Sequence, residues 1–402
     1  MKVGFIAFLV TPDGSTLDQG FVLDEALKIA EIGVETHIFT RRIRSRLRWG
    51  KIWFHPMKPS TSLEHLKTIY KLLKRLPVQT FLRPSSRLLS DMLCTQSLVE
   101  SVKNLDILYA CSAYPEGLAA AIASETAKTP LVIEVYGSDI EVKPSLEYGI
   151  RRFRGYDIAV RWTLDRADAV IASSLHLYRE VSELLGSSSK LYLVSKGADV
   201  DRFNPKTSGA SIRQRLGLEN MKVVFALDRH TRWCGFEDLI AVAAQVCRVR
   251  EDVVFLVGGE GPLRRYFETV ASDMRVRRRM LFTGPIPRFE APSYYAACDL
   301  FVKPSLVEEN ATTVIEAMAT GKPVIASDIE GLKELVTDRV NGFLVPPKSV
   351  RLLADRMLYL LENPEEAGEM GVKARKTVEK AFNLDDRVRR LIKVFEEVVR
   401  SK

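Results

Sequence analysis

Apolar positions along this chain follow two patterns in turn. Short runs rich in Val, Ile and Phe alternate with longer stretches whose apolar residues recur at helical spacing, which is how βαβ units and a parallel sheet read in sequence. The first half predicts strands over 2–10, 35–40, 107–110, 131–135, 169–172 and 191–194, with a helix over 24–32. Around 204–220 the pattern breaks into Asn-Pro, Lys, Thr, Ser and Gly, a linker composition. It restarts near Met221 with strands over 223–227, 253–257, 280–283, 300–303 and 323–326, and helices over 236–248, 263–271, 313–320 and 350–361. The last segment places Val388, Leu391, Ile392, Phe395, Val398 and Val399 on one helical face that must pack against something. The expected organisation is one doubly wound domain over 1–204, a second over 205–384, and a terminal helix over 385–402.

A length of 402 residues agrees with this count, because domains run to roughly 150 residues each. With 46% hydrophobic and 27% charged residues the chain is neither disordered nor fibrous. Its apolar runs are strand-sized, far short of the about 18 residues that cross a bilayer. Residues 3–10 follow Lys2 as a signal-peptide core would, but Thr11, Pro12, Asp13 and Gly14 stand where small cleavage-site residues belong, so a buried first strand is expected. Five scattered cysteines (Cys94, Cys111, Cys234, Cys247, Cys298) fit neither a disulfide framework nor a metal cluster, which points to a reducing cytoplasm.

The net charge of +8 has one local source. Residues 41–90 carry +12, from thirteen basic side chains against Glu64, and the rest of the chain carries −4. Within this window Leu66, Ile69, Leu72, Leu73 and Leu76 recur at helical spacing between Lys67, Lys71, Lys74 and Arg75, the layout of an interfacial amphipathic helix. An anionic membrane surface is the expected partner, reached peripherally from the inner face. A solvated domain surface is the plainer alternative, and nothing else in the sequence suggests nucleic acid.

Three constellations carry candidate chemistry, each with a structural alternative. The turn Gly258-Gly259-Glu260-Gly261-Pro262 follows a strand and precedes a helix, so its amides could approach a phosphate, but Arg264 stands where a dinucleotide fingerprint needs glycine. In the segment from Glu308 to Glu316, free amides at a helix start could face a diphosphate while carboxylates bond sugar hydroxyls; Thr313 and Glu316 also fit a capping box. The pair Asp199 and Asp201 lies in a stretch reading as turn and cap, so no metal site is expected. His230, with no acid or nucleophile at an informative spacing, reads as solvent-exposed.

Taken in order, several segments of the C-terminal half resemble retaining GT-B-fold glycosyltransferases of family 4 (glycosyltransferase group 1). They are Leu281-Phe282-Thr283-Gly284-Pro285-Ile286, Tyr294 to Asp299, Pro304-Ser305, the pair Glu308 and Glu316 with Ala317-Met318-Ala319, Gly321 to Ser327, Gly331 to Val336 and Asn341 to Pro347. Weaker similarity continues in the first half through Tyr136-Gly137-Ser138-Asp139, Ala172-Ser173-Ser174 and Gly197 to Phe203, leaving 41–105 uninformed.

The resemblance implies an α/β GT-B fold, in which two Rossmann-like doubly wound domains face each other across a cleft and the C-terminal helix crosses back to the first. It implies a nucleotide-sugar donor held by the second domain, with no further cofactor, and a hexosyl transfer to a glycan or lipid-linked acceptor. Glu308, Arg229 and Tyr136 would be catalytic. Glu316 would bond the nucleotide ribose, and the amides of Thr312 and Thr313, flanked by Asn310 and Ala311, the diphosphate. Gly14, Gly259, Gly284, Ile286 and Arg232 would complete the donor pocket, with no metal.

This sequence departs from the family at three places. Cys234 replaces the lysine before Gly235, Tyr136 replaces the histidine before Gly137, and the paired glycines of the first loop are out of register, with Gly14 nearest. Arg232 or Lys303 are the candidates for the missing charge. A catalytically silent GT-B protein that binds nucleotide or glycan is the alternative in another class, and a sugar-nucleotide epimerase or phosphorylase is a third.

Overall fold

A computed structural model describes residues 1–12, 20–58, 95–308 and 310–402. The amphipathic segment 66–76, Gly14, Glu64, Cys94 and Glu309 lie outside the described residues. The chain divides into two compact units, Met1–Ser195 with Arg387–Lys402, and Lys196–Asp386.

The first unit is built on eight strands: β1 (Lys2–Ile6), β2 (Glu35–Thr40), β3 (Leu47–Trp49), β4 (Ile52–Pro56), β5 (Ile107–Ala110), β6 (Leu131–Val135), β7 (Ala169–Ala172) and β8 (Leu191–Leu193). They form one sheet in the order β3-β4-β2-β1-β5-β6-β7-β8, parallel except for the β3–β4 pair. The central strands are buried throughout, as a sheet covered on both faces requires, so β5 and β7 are continuous apolar runs and β6 is broken only by Glu134. The β3–β4 hairpin at the sheet edge was not expected from the sequence, because its strands are only three and five residues long.

The first unit supplies the partner that the apolar face of the helix Leu384–Arg400 demanded. From Arg387 onward the helix belongs to the first unit. Val388, Leu391, Val394, Phe395 and Val398 are buried there, and the Phe395 ring lies 5.2 Å from that of Tyr109. Arg387, the buried cation of this helix, donates to Glu25 at 2.7 Å and to Glu134 at 2.8 Å.

In the second unit β9 (Lys222–Leu227), β10 (Val253–Gly258), β11 (Met280–Gly284), β12 (Leu300–Lys303), β13 (Val324–Ser327) and β14 (Phe343–Val345) form a parallel sheet in the order β11-β10-β9-β12-β13-β14. The chain runs outward from β9 through β10 to β11, then returns to the other side of β9 with β12. The reversal lies between the carboxyl ends of β9 and β12, the topological switch point where open α/β sheets take their ligands.

The first unit ends ahead of the composition-based linker because residues after Ser195 pack within the second unit. Ala198 bridges to Asn383, and Arg375 donates to the carbonyls of Val200 and Phe203.

Candidate active site

Eleven of the candidate residues lie at or beyond the carboxyl ends of β9 to β12 in the second unit: Arg229, Arg232, Gly259, Gly284, Ile286, Glu308, Asn310, Ala311, Thr312, Thr313 and Glu316. Each follows a buried strand whose hydrogen-bonded register fixes where the next loop begins.

The loop after β9 starts at Asp228 and reaches the helix Phe236–Val249. Arg229 is exposed. His230, expected at the surface, is instead fully buried, with the rings of Phe236 and Phe267 at 5.2 and 5.9 Å. Its Nε2 lies 3.3 Å from the Gly258 carbonyl, and burial holds the imidazole below its ordinary pKa. The sequence around it offers no apolar periodicity, so this aromatic cage was not legible.

The glycine-rich turn packs against that loop. A Cβ at position 259 would stand 1.8 Å from the Asp228 carbonyl oxygen, and φ there is +111°. The Gly259 amide donates to Gly284 at 2.9 Å, and the His230 amide to Glu260 at 3.0 Å. Close loop packing accounts for these glycines.

The loop after β12 leads into the helix Thr312–Ala319 through Ala311, whose φ of +37° is unusual for a residue with a Cβ. No side chain caps this helix, so the capping-box geometry does not form. Glu308 Oε1 accepts from the Ala311 and Asn310 amides at 2.9 and 3.2 Å. The Val314 and Ile315 amides return to the Ala311 carbonyl, and Thr313 Oγ1 is buried with no hydrogen-bond partner among the described residues.

Glu316 does not cap the helix start. Its carboxylate pairs with Arg288 and accepts from the Tyr295 hydroxyl at 2.8 Å, and only 2% of the side chain is exposed.

Lys303, the last residue of β12, lies between Asp228 and Glu308. Its Nζ is 2.7 Å from Asp228 Oδ2 and 2.7 Å from Glu308 Oε2, and 5% of its side chain is exposed. Burial pushes the Glu308 carboxyl up, but the ammonium and two backbone amides outweigh it and hold the group below the ordinary range. Burial and the nearby Glu308 charge raise Asp228, with Lys303 opposing. Lys303 is therefore held by two carboxylates rather than free. Cys234, where the family has lysine, is buried; its Sγ–H points to the Thr231 carbonyl at 3.0 Å, and burial pushes the thiol pKa up to about 12.

In the first unit Tyr136 follows β6, its ring 5.4 Å from that of Phe21, and burial raises its hydroxyl pKa well above the ordinary value. Asp139 sets the loop by accepting from the Tyr136 amide at 2.9 Å and the Ala113 amide at 2.6 Å. Asp199, in the second unit, accepts from the Asp201 and Arg202 amides, as a turn requires. Among the described residues, no three His, Cys, Asp or Glu side chains are grouped to hold a metal.

Residues 21–202 match the family described as Glycosyltransferase Family 4, and residues 210–377 match Glycosyl transferases group 1. A Bacillus subtilis protein provisionally named teichuronic acid biosynthesis glycosyltransferase TuaC is 33% identical over 253 residues, 62% of this chain and 60% of that protein. A GDP-mannose-dependent alpha-(1-6)-phosphatidylinositol monomannoside mannosyltransferase of Mycolicibacterium smegmatis is 28% identical over 68% of this chain and 71% of its own. The crystal structure of Anabaena Alr3699/HepE in complex with UDP and glucose superimposes with a TM-score of 0.76 at 21% identity, covering 98% of this chain and 99% of the other. By the sequence of both halves and by its fold, the chain belongs with the GT-B glycosyltransferases.

Proposed function

We propose that this protein is an active, retaining hexosyltransferase that moves a sugar from a nucleotide-sugar donor, held by the second unit, to a lipid-linked or otherwise membrane-presented acceptor. The observation that carries the reading is the convergence at the β9/β12 switch point of exposed Arg229, the uncapped start of the helix Thr312–Ala319, and Glu308.

Sugar transfer builds negative charge on the departing diphosphate while the sugar gains oxocarbenium character. Arg229 and the Thr312 and Thr313 amides are suited to that charge, and a helix amino end favours an anion. Glu308 would bond donor-sugar hydroxyls and Glu316 the ribose. Retention follows if the acceptor attacks from the face that the leaving group vacates, with the phosphate helping to take its proton. No nucleophile of the protein is then required, and the Arg229 and helix-amide charges make the donor step independent of a divalent metal.

The names of two similar proteins support the donor and acceptor classes: one was crystallised with UDP and glucose, and another is a phosphatidylinositol monomannoside mannosyltransferase. A membrane-presented acceptor also suits the basic edge of the first unit. There Arg42, Arg44, Arg48, Lys51 and Lys58 are exposed, and so is 42% of Trp49. We place the protein in the cytoplasm, reversibly bound to the membrane's inner face. The silent-binder alternative is favoured by Cys234, Tyr136 and the altered first loop.

Thermal-shift screening against UDP, GDP, ADP and their sugar conjugates tests the donor site, since a ligand that binds only the folded chain raises its melting temperature. A shift with one nucleotide series is expected. No shift with any of them would overturn the assignment.

A further inference from the structure

The β9 and β12 strands lie side by side, pairing Val224 with Leu300 and Phe225 with Phe301. Their carboxyl ends deliver Asp228 and Lys303 to the two sides of the switch point. The loop after β9 carries Arg229, and the loop after β12 carries Glu308 and leads to the uncapped helix. These loops touch in their backbones, since a Cβ at Gly235 would stand 1.9 Å from the Pro304 carbonyl oxygen.

One ammonium joins them. Asp228 receives Lys303 on Oδ2 and the Arg229 amide on Oδ1, both at 2.7 Å. Glu308 receives Lys303 on Oε2 and the Ala311 and Asn310 amides on Oε1. Every link is a charge-assisted hydrogen bond, the stronger class. A buried charge pair costs desolvation and is weak evidence for stability as such, so its retention here calls for another role.

We propose that Lys303 is a positioning residue of the donor site, which clamps the Arg229 loop to the Glu308 loop and so fixes the phosphate-facing cation and helix amides relative to each other. The cation missing at Cys234 is thus replaced by one that enters from the neighbouring strand and orders the site instead of touching phosphate. This inference rests on the donor-site reading above.

The test compares wild type, Lys303→Met and the double variant Asp228→Asn/Lys303→Met, by hydrogen exchange and by calorimetric titration with UDP and with GDP. The single variant leaves two buried carboxylates facing each other and is liable to unfold; the double variant relieves that repulsion. The clamp predicts faster exchange in residues 229–235 and 305–313 of both variants, with β13 unchanged. It also predicts nucleotide affinity lower by about tenfold or more, the scale of one hydrogen bond to a charged group.

Unchanged loop exchange in Lys303→Met, or restoration of both exchange and affinity in the double variant, would overturn the clamp and leave Lys303 a structural ion. If wild type binds neither of these nucleotides nor ADP, the donor-site reading fails, and the exchange comparison alone decides the clamp.

Discussion

Arg387 Nη2 lies 2.8 and 2.9 Å from the two carboxylate oxygens of Glu134, so the helix Leu384–Arg400 is locked to strand β6 by a fully buried ion pair. The same guanidinium also bonds Glu25 and the carbonyls of Val194 and Ser195. Replacing Arg387 by Met strands two buried carboxylates, and breaking such a pair costs about 3–5 kcal/mol. The expected result is a lower melting temperature with early loss of amide protection in the helix Leu384–Arg400. Protection equal to wild type would show that apolar packing alone holds this helix.

Asp139 ties stability to pH. Burial pushes its carboxyl up to about 6 from 3.8, against the Ala113 and Tyr136 amides. Between those values the folded chain binds the proton more tightly than the unfolded chain. The group's contribution is therefore present in acid and lost as pH rises through about 6, a span worth about 3 kcal/mol. Urea midpoints of wild type and Asp139→Asn should diverge with pH, wild type losing ground between about pH 4 and 6.5. A difference that stays flat across this range would refute the shift.

Glu316 carries two loads that single variants can separate. In Glu316→Ala the buried Tyr295 hydroxyl loses the carboxylate it bonds at 2.8 Å, at a cost of about 1–3 kcal/mol. Glu316→Gln keeps an acceptor for Tyr295 and should melt closer to wild type. Both should bind nucleotide more weakly, by about tenfold if a ribose hydrogen bond is lost. Unchanged affinity in both variants would remove Glu316 from the donor site and leave it a buried tie to Arg288 and Tyr295.

The basic edge predicts membrane binding that depends on lipid charge. Each basic residue near an anionic leaflet adds at most about 1 kcal/mol, so several together suffice for reversible attachment. Liposome co-sedimentation across a salt series should give binding to anionic vesicles that weakens as salt rises. Equal partitioning to neutral and anionic vesicles, or none to either, would exclude this surface as a membrane contact.

The parallel sheets and the carboxyl-end position of the candidate site were legible because buried strands are continuous apolar runs, and each loop begins where a run stops. Relations between elements were not. Lys303 reads as the polar end of β12, yet its partners are Asp228, from the loop after β9, and Glu308, from the loop after β12. Thr313 and Glu316 have capping-box spacing, but Ala311 is the residue before the helix, and Glu316 turns to Arg288 and Tyr295 instead. His230 looks exposed in a polar stretch because the aromatic rings that enclose it come from separate helices. The β3–β4 hairpin was missed because its strands are only three and five residues long.

The most direct test of the central claim is transfer of a labelled sugar from a panel of UDP-, GDP- and ADP-sugars to a membrane-lipid extract, run in EDTA, with the product's anomeric configuration read by NMR. The account predicts a labelled lipid or glycan whose anomeric configuration matches that of the donor, formed by wild type and not by Glu308→Ala. A chain that binds nucleotide yet neither transfers nor hydrolyses any donor, even with divalent metal restored, would contradict it and establish the silent-binder reading.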